Sequence, residues 1–209
     1  MNFDTISMKR RARTLMKETH PKPLLIGLIF EIFVILYVIA FFVSFTLEKD
    51  LYIILSFGLL ETIFINIRNS FRFYSIKVTR EEKTKVSDVF SAYKEKPVKV
   101  LLLGIVRNLL HLIGFCIIGV GFFIPFYVFR MSCYVIKDEN VNIFQALSRS
   151  KKLMFKHYAE LIKLDLSNIG WFLLMIITFG AAGFYVIPYT SIVYAEFYDY
   201  LKAQEEFMN

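Results

Sequence analysis

The sequence predicts an all-α, polytopic membrane protein: about six transmembrane helices paired as three hairpins, each preceded by a short amphipathic interfacial helix. Three observations carry this. Hydrophobic residues make up 56% of the 209, with a mean hydropathy of +0.53, against about 45–50% in soluble domains. They are gathered in runs near the ~20 residues that cross ~30 Å of hydrocarbon. The cationic residues fall between those runs, and a similar unit recurs three times along the chain.

The first twenty residues, MNFDTISMKRRARTLMKETH, do not read as a cleavable signal: the basic region is long and no small-x-small site follows the apolar run. Met8, Ala12, Leu15 and Met16 share one face at helical spacing, opposite a basic face, as in a helix lying in the headgroup plane. The first apolar span runs from about Leu24 to Leu47, broken only by Glu31. After Glu48-Lys49-Asp50 a second runs from Leu51 to about Ile67, broken by Glu61. Arg68 to Lys99 is a basic connection with nine Lys or Arg, in which Val86, Val89, Phe90 and Tyr93 form a second amphipathic stretch.

Val98 to Ile136 is too long for one helix and divides at Gly119-Val120-Gly121 into a third and a fourth span. Lys137 to Lys163 is basic again, with six cations, and holds a third amphipathic stretch around Ile143, Phe144, Leu147 and Met154. The fifth span runs to about Phe179. Gly180-Ala181-Ala182-Gly183 makes a second tight turn, and the sixth span ends near Tyr200. Pro125 and Pro188 fall near the starts of returning helices, where a missing N–H costs little, although a kink remains the alternative.

Charge sets the orientation. The N-terminal segment and the two long connections carry six, nine and six Lys or Arg, whereas the opposite side shows only Lys49. Both termini are therefore expected in the cytoplasm, with anionic lipid headgroups facing the basic stretches. This explains the net charge of +7 and the pI near 9.3 without invoking nucleic acid. The two cysteines, Cys116 and Cys133, lie in apolar stretches with no CxxC spacing and read as buried thiols.

No linker divides the chain, so 1–209 reads as one membrane domain with repeat units at approximately 4–68, 84–136 and 141–201. The later two share landmarks: Ile113-Gly114-Phe115 parallels Ile169-Gly170-Trp171, and the GFFIPF segment from Gly121 parallels GFYVIPY from Gly183.

Residues 142–201 also carry Ala146-Leu147 with Ser150, Leu153-Met154, the LSNIGWFLL core from Leu166 to Leu174, Ile187-Pro188-Tyr189 and Ala195-x-Phe197-Tyr198. In combination these resemble the C-terminal part of an uncharacterised family of bacterial integral membrane proteins, a domain of unknown function numbered nine-seventy-five. Family members usually show Ile-Pro-Gly before the fourth span, where this chain has Ile124-Pro125-Phe126. The resemblance implies a six-helix bacterial membrane protein and brings no activity, cofactor or catalytic residue.

The chemistry left to read is ionic. Glu31 and Glu61 fall in the first hairpin, Arg107 and Arg130 in the second, Asp165 and Glu196 in the third. At ~1.5 Å per residue each lies roughly 7–13 Å from the cytoplasmic end of its span. They are expected to form one charged layer, the arginines facing some of the carboxylates, with His111 extending it outward; Asp165 and Glu196 could instead snorkel to the interface. Such a layer either specifies helix packing or lines a hydrated vestibule.

No HExxH, GxSxG, P-loop, GxGxxG or CxxC motif occurs, and His20, His111 and His157 do not share a metal-binding face. The expectation is a non-catalytic accessory or assembly partner in the bacterial cytoplasmic membrane, needing no cofactor and contacting lipid, a membrane protein or a second copy of itself. A small-solute or ion transporter with a charged vestibule is the alternative.

Overall fold

A computed structural model describes residues 3–20, 22–46, 69–118 and 123–208. Every regular element among them is helical. The expected second span with Glu61, and the turn at Gly119 and Gly121, lie outside the described residues, as does the side chain of His111.

Helix α1 (Thr5–Glu18) starts where Asp4 Oδ1 accepts the Ile6 N–H at 2.9 Å, satisfying one of the amides that a helix start leaves unpaired. Its buried residues are the four expected from the sequence: Met8, Ala12, Leu15 and Met16. Helix α2 (Pro23–Thr46) follows as an almost purely apolar element. Among the described residues no single helix is long and apolar enough to cross a membrane. The bent pair Thr5–Glu18 with Pro23–Leu36, turned by 83°, passes the same test of length and composition together.

The basic connection contains an element that the charge count concealed. Residues 69–79 form a helix, α3, that buries Phe71, Phe73, Tyr74, Ile76 and Val78. The second amphipathic stretch is correspondingly not one helix. It is a 3₁₀ turn (Val86–Phe90) followed by the short α4 (Ser91–Glu95), with Val86 exposed.

Helix α5 (Pro97–Ile118) matches the expected third span in extent. The expected fourth span is instead two helices, α6 (Phe123–Val128) and α7 (Ser132–Glu139), separated by a turn at residues 129–131. The break has a local cause. Ser132 turns its hydroxyl back onto the Phe129 carbonyl at 2.7 Å, and the Val128 carbonyl accepts the Ser150 hydroxyl at 2.9 Å. Pro125 is the third residue of α6, where its missing N–H costs nothing.

Helix α8 (Ile143–Met154) opens with a capping box, Asn142 exchanging bonds with Gln145. It buries Ala146, Leu147, Ser150, Leu153 and Met154 and leaves Phe144 in the open, so its inner face is rotated from the one read in the sequence. The fifth span is broken as well, into α9 (Tyr158–Ser167) and α10 (Ile169–Ile177), which meet at Asn168. Ser167 donates to the Leu164 carbonyl at 2.7 Å, and Lys9 reaches across from α1 to the Ser167 carbonyl at 2.6 Å. A cation thus takes up a carbonyl that the break releases.

After a turn with Gly180 at φ +92°, α11 runs unbroken from Gly183 to Met208. It packs on α1, α2, α8 and α10 and supplies much of the core: Tyr189, Ile192, Val193, Ala195, Phe197 and Tyr198 are all fully buried. Tyr198 stacks on Tyr134 of α7 at 5.6 Å, and Phe3 meets Phe197 edge-on at 5.9 Å.

Pro188 lies inside α11, one turn beyond a clean helix start. It cannot donate to the Phe184 carbonyl, and Gly27 of α2 sits against that oxygen. A Cβ at position 27 would collide with the oxygen and lie 2.8 Å from Pro188 Cγ. The two helices therefore touch backbone to backbone at a Gly–Pro contact.

Candidate functional site

The described members of the expected charged layer occupy separate settings. Glu31 reaches the start of α11, where its carboxylate fills the space a side chain at Gly183 would take, so that Glu31 would have to shift to admit one; it also borders Gly180. A carboxylate beside the first residue of a helix is favoured by the helix dipole. Arg107 is buried on α5. Glu196 pairs with Arg11 of α1 at 3.2 Å, a partner the span-by-span reading did not contain. Arg130 does meet Asp165, its Nη2 at 3.5 Å from Oδ1.

Arg130 follows directly from the break between α6 and α7. The turn at residues 129–131 points its guanidinium into a sandwich, 4.5 Å from the Phe126 ring centroid and 4.1 Å from that of Tyr194. Asp165 is held more firmly by another group: the Tyr194 hydroxyl donates to its Oδ1 at 2.6 Å. Arg130, Tyr194 and Phe126 line a cleft of about 270 Å³ together with Arg72 of α3 and the Thr190–Ser191 step of α11.

A second charged cluster joins the turn that follows α3 to α7, α8 and α11. Arg80 binds Asp138 at 2.6 Å and Asp199 at 2.8 Å. Lys202 reaches Asp138 at 2.5 Å, and Tyr198 donates to the same carboxylate at 3.0 Å. Arg149 forks onto Glu205, Nη1 and Nη2 each 2.5 Å from one oxygen, while its Nε binds Glu139 at 3.1 Å. Such two-point guanidinium–carboxylate pairs are among the stronger polar contacts a protein makes. Burial pushes the Asp138 carboxyl up, but hydrogen bonds from Arg80 and Lys202 outweigh it and hold the group well below the usual carboxylate range. Hydrogen bonding from Arg149 likewise lowers Glu205.

Sequence reasoning counted Arg149 only among the six cations of the Lys137–Lys163 segment, expected to face lipid headgroups, and passed over Asp138, Glu139, Asp199 and Glu205. Their partners are distant in the chain: 58 residues separate Arg80 from Asp138 and 119 separate it from Asp199. The one local hint was the alternation of acids and bases on α11, where Asp199, Lys202 and Glu205 recur every third residue.

Cys133 is buried on α7, its thiol 3.8 Å from the Asn69 carbonyl. Among the described residues no group of three or more His, Cys, Asp or Glu is placed to hold a metal ion.

One family comparison covers part of the chain. Residues 113–205 match DUF975, a protein family of unknown function. The segment singled out above, 142–201, lies wholly inside the match, which reaches back through α6 and α7. The matched residues include Arg130, Asp165 and Tyr194, and all the carboxylates of the second cluster. Arg72 of α3 and Arg80, in the turn that follows α3, lie before them. No curated protein and no solved structure matches the chain.

Proposed function

We propose that this chain is a multi-pass protein of the bacterial cytoplasmic membrane, with both termini in the cytoplasm, acting as a non-catalytic accessory or assembly partner. The observation that carries the proposal is the division of its surface. Helix α10 buries none of its residues, and Ile169, Phe172, Leu173, Leu174, Ile176 and Ile177 all face outward. The outer face of α2 continues the pattern through Leu28, Ile32, Ile35, Ile39 and Phe42. In water these faces would form an apolar patch far larger than soluble monomers expose; against acyl chains they cost nothing. The ion pairs lie on other elements, joining α1, α7, α8, the later part of α11 and the turn that follows α3.

The pairing of Arg130 with Asp165 and of Arg11 with Glu196 supports a packing role for these charges. The transporter reading needs a hydrated path through them, and no observation favours it. The decisive experiment is fractionation of cells producing a tagged chain, followed by reconstitution. The protein should stay in the pellet through alkaline carbonate extraction and dissolve only in detergent, and proteoliposomes containing it should show no solute or ion flux above protein-free vesicles. Recovery in the carbonate supernatant overturns the membrane assignment. Flux that disappears in Arg130→Gln overturns the accessory role.

A further inference from the structure

Two guanidiniums line the cleft between α3, α6 and α11, and among the described residues one carboxylate, Asp165, answers them. Arg130 is pressed between Phe126 and Tyr194, its side chain 13% exposed, and its contact with Asp165 involves a single nitrogen at 3.5 Å. That is the outer limit of a hydrogen bond, and the Asp165 oxygen involved is already engaged by Tyr194. Arg72, on the same wall, donates to the neutral Asn69 Oδ1 at 3.3 Å, and no carboxylate lies within ion-pair distance of it among the described residues.

Counted over the described residues, the cleft therefore holds one positive charge in excess, with N–H donors of both guanidiniums left over. Carrying such an excess in a partly desolvated site is costly unless an anion joins it. The volume, about 270 Å³, is close to the ~300 Å³ at which small-ligand sites begin. Its walls are aromatic, from Phe126, Tyr134 and Tyr194.

We propose that this cleft binds a phosphate group, Arg72 and Arg130 gripping its oxygens while the aromatic walls receive the apolar part of the same molecule. Guanidinium forks match phosphate oxygens in pairs, which a lysine cannot do. The phosphate can come from an anionic phospholipid headgroup or from a free phosphate ester. The lipid source rests on the membrane reading above; the phosphate chemistry does not.

The test measures the thermal unfolding of the full-length protein in a neutral maltoside detergent against three additives: short-chain phosphatidylglycerol, short-chain phosphatidylcholine and inorganic phosphate. A ligand at free concentration L that binds the folded chain alone stabilises it by RT ln(1 + L/Kd), so the transition temperature climbs with the logarithm of L once that exceeds Kd. Phosphatidylglycerol should raise it with that dependence, and Arg72→Gln should move the onset to roughly tenfold higher concentration, the worth of one charge-assisted hydrogen bond. Arg72→Gln leaves the Arg130–Asp165 pair in place and should fold; Arg72→Lys should recover only part of the affinity. Lys152→Gln, which removes a cation from the exposed face of α8, should change nothing.

A shift with inorganic phosphate as large as that with phosphatidylglycerol identifies a free phosphate as the ligand; a shift with the lipid alone identifies the headgroup. No shift with either, or shifts that Lys152→Gln and Arg72→Gln reduce equally, overturns the proposal. A protein that remains in the membrane pellet yet shows no shift refutes this site and leaves the membrane reading intact. One that is soluble refutes that reading, and the inorganic phosphate arm still decides the site.

Discussion

A single hydrogen at Gly27 separates α2 from α11. Because the obstruction at this position is the Phe184 backbone oxygen, no side-chain rotation can relieve it. Gly27→Ala should destabilise the fold by about 1–3 kcal/mol, the range for overpacking a rigid contact, read as a lowered midpoint in thermal unfolding. Adding Pro188→Ala removes the neighbouring ring atom but not the oxygen, so the double variant should recover little. Full rescue would show that the ring, and not the backbone, sets the spacing.

Asp138 supports a prediction in pH. Its folded carboxyl titrates below its ordinary value of 3.8, so the unfolded chain binds the proton more readily. The stabilisation is complete above about pH 4 and is lost as pH falls from there towards the lower folded value. Unfolding followed between pH 5 and 2 should show that loss, and Asp138→Asn should flatten it while lowering stability at pH 7. An unchanged acid profile in the variant would remove Asp138 from the account. At this scale the sequence revealed part of the answer. That Arg130 should face a carboxylate was expected because a charge within an apolar stretch needs compensation, and Asp165 lies beside it. The partnership of Glu196 with Arg11 was not, since it depends on how α1 lies across α11.

Among the elements, α10 is the most exposed to test. Ile176 and Ile177 are each 72% exposed, so an arginine there touches no core residue. In water, Ile176→Arg should be neutral or improve solubility. In a bilayer it costs up to about 2.5–3.5 kcal/mol if the position sits at mid-depth. We expect a clear fall in membrane-integrated yield, with Ile176→Leu as the silent control; equal yields would place α10 outside the hydrocarbon. The boundaries of α1, α2 and α5 were readable because a dominant apolar period or run controls each. The breaks at residues 129–131 and at Asn168 were not, because they are decided by single hydroxyls and amides redirecting backbone bonds. Helix α3 was hidden for a different reason. Its Arg72 and Lys77, with Arg80 just beyond, counted towards a basic connection, while Phe71, Tyr74, Ser75 and Val78 stood at helical spacing and could have revealed a buried face.

For the whole molecule, hydropathy identified where helices lie and could not say how far each runs beside its neighbour. Gly27 meets Phe184, and Glu31 meets Gly183, so α2 and α11 run antiparallel and α11 begins only a third of the way along α2. Most of α11 consequently runs past α2, where Asp199, Lys202 and Glu205 enter ion pairs and Tyr189, Tyr194, Tyr198 and Tyr200 are buried. The charged residues placed by sequence in one layer are distributed by this offset among the start of α11, the α6–α7 turn and the face of α1.

That arrangement also has a consequence in time. Helices α1 and α2 find their partner in α11, which leaves the ribosome more than a hundred residues later. At the usual ~5–20 residues per second, they wait on the order of ten to forty seconds before Arg11 can meet Glu196 or Gly27 can seat against Phe184. During that interval the inner faces of α1 and α2 must be sheltered by the insertion machinery, by lipid or by a chaperone, and closure across so long a stretch of chain is intrinsically slow.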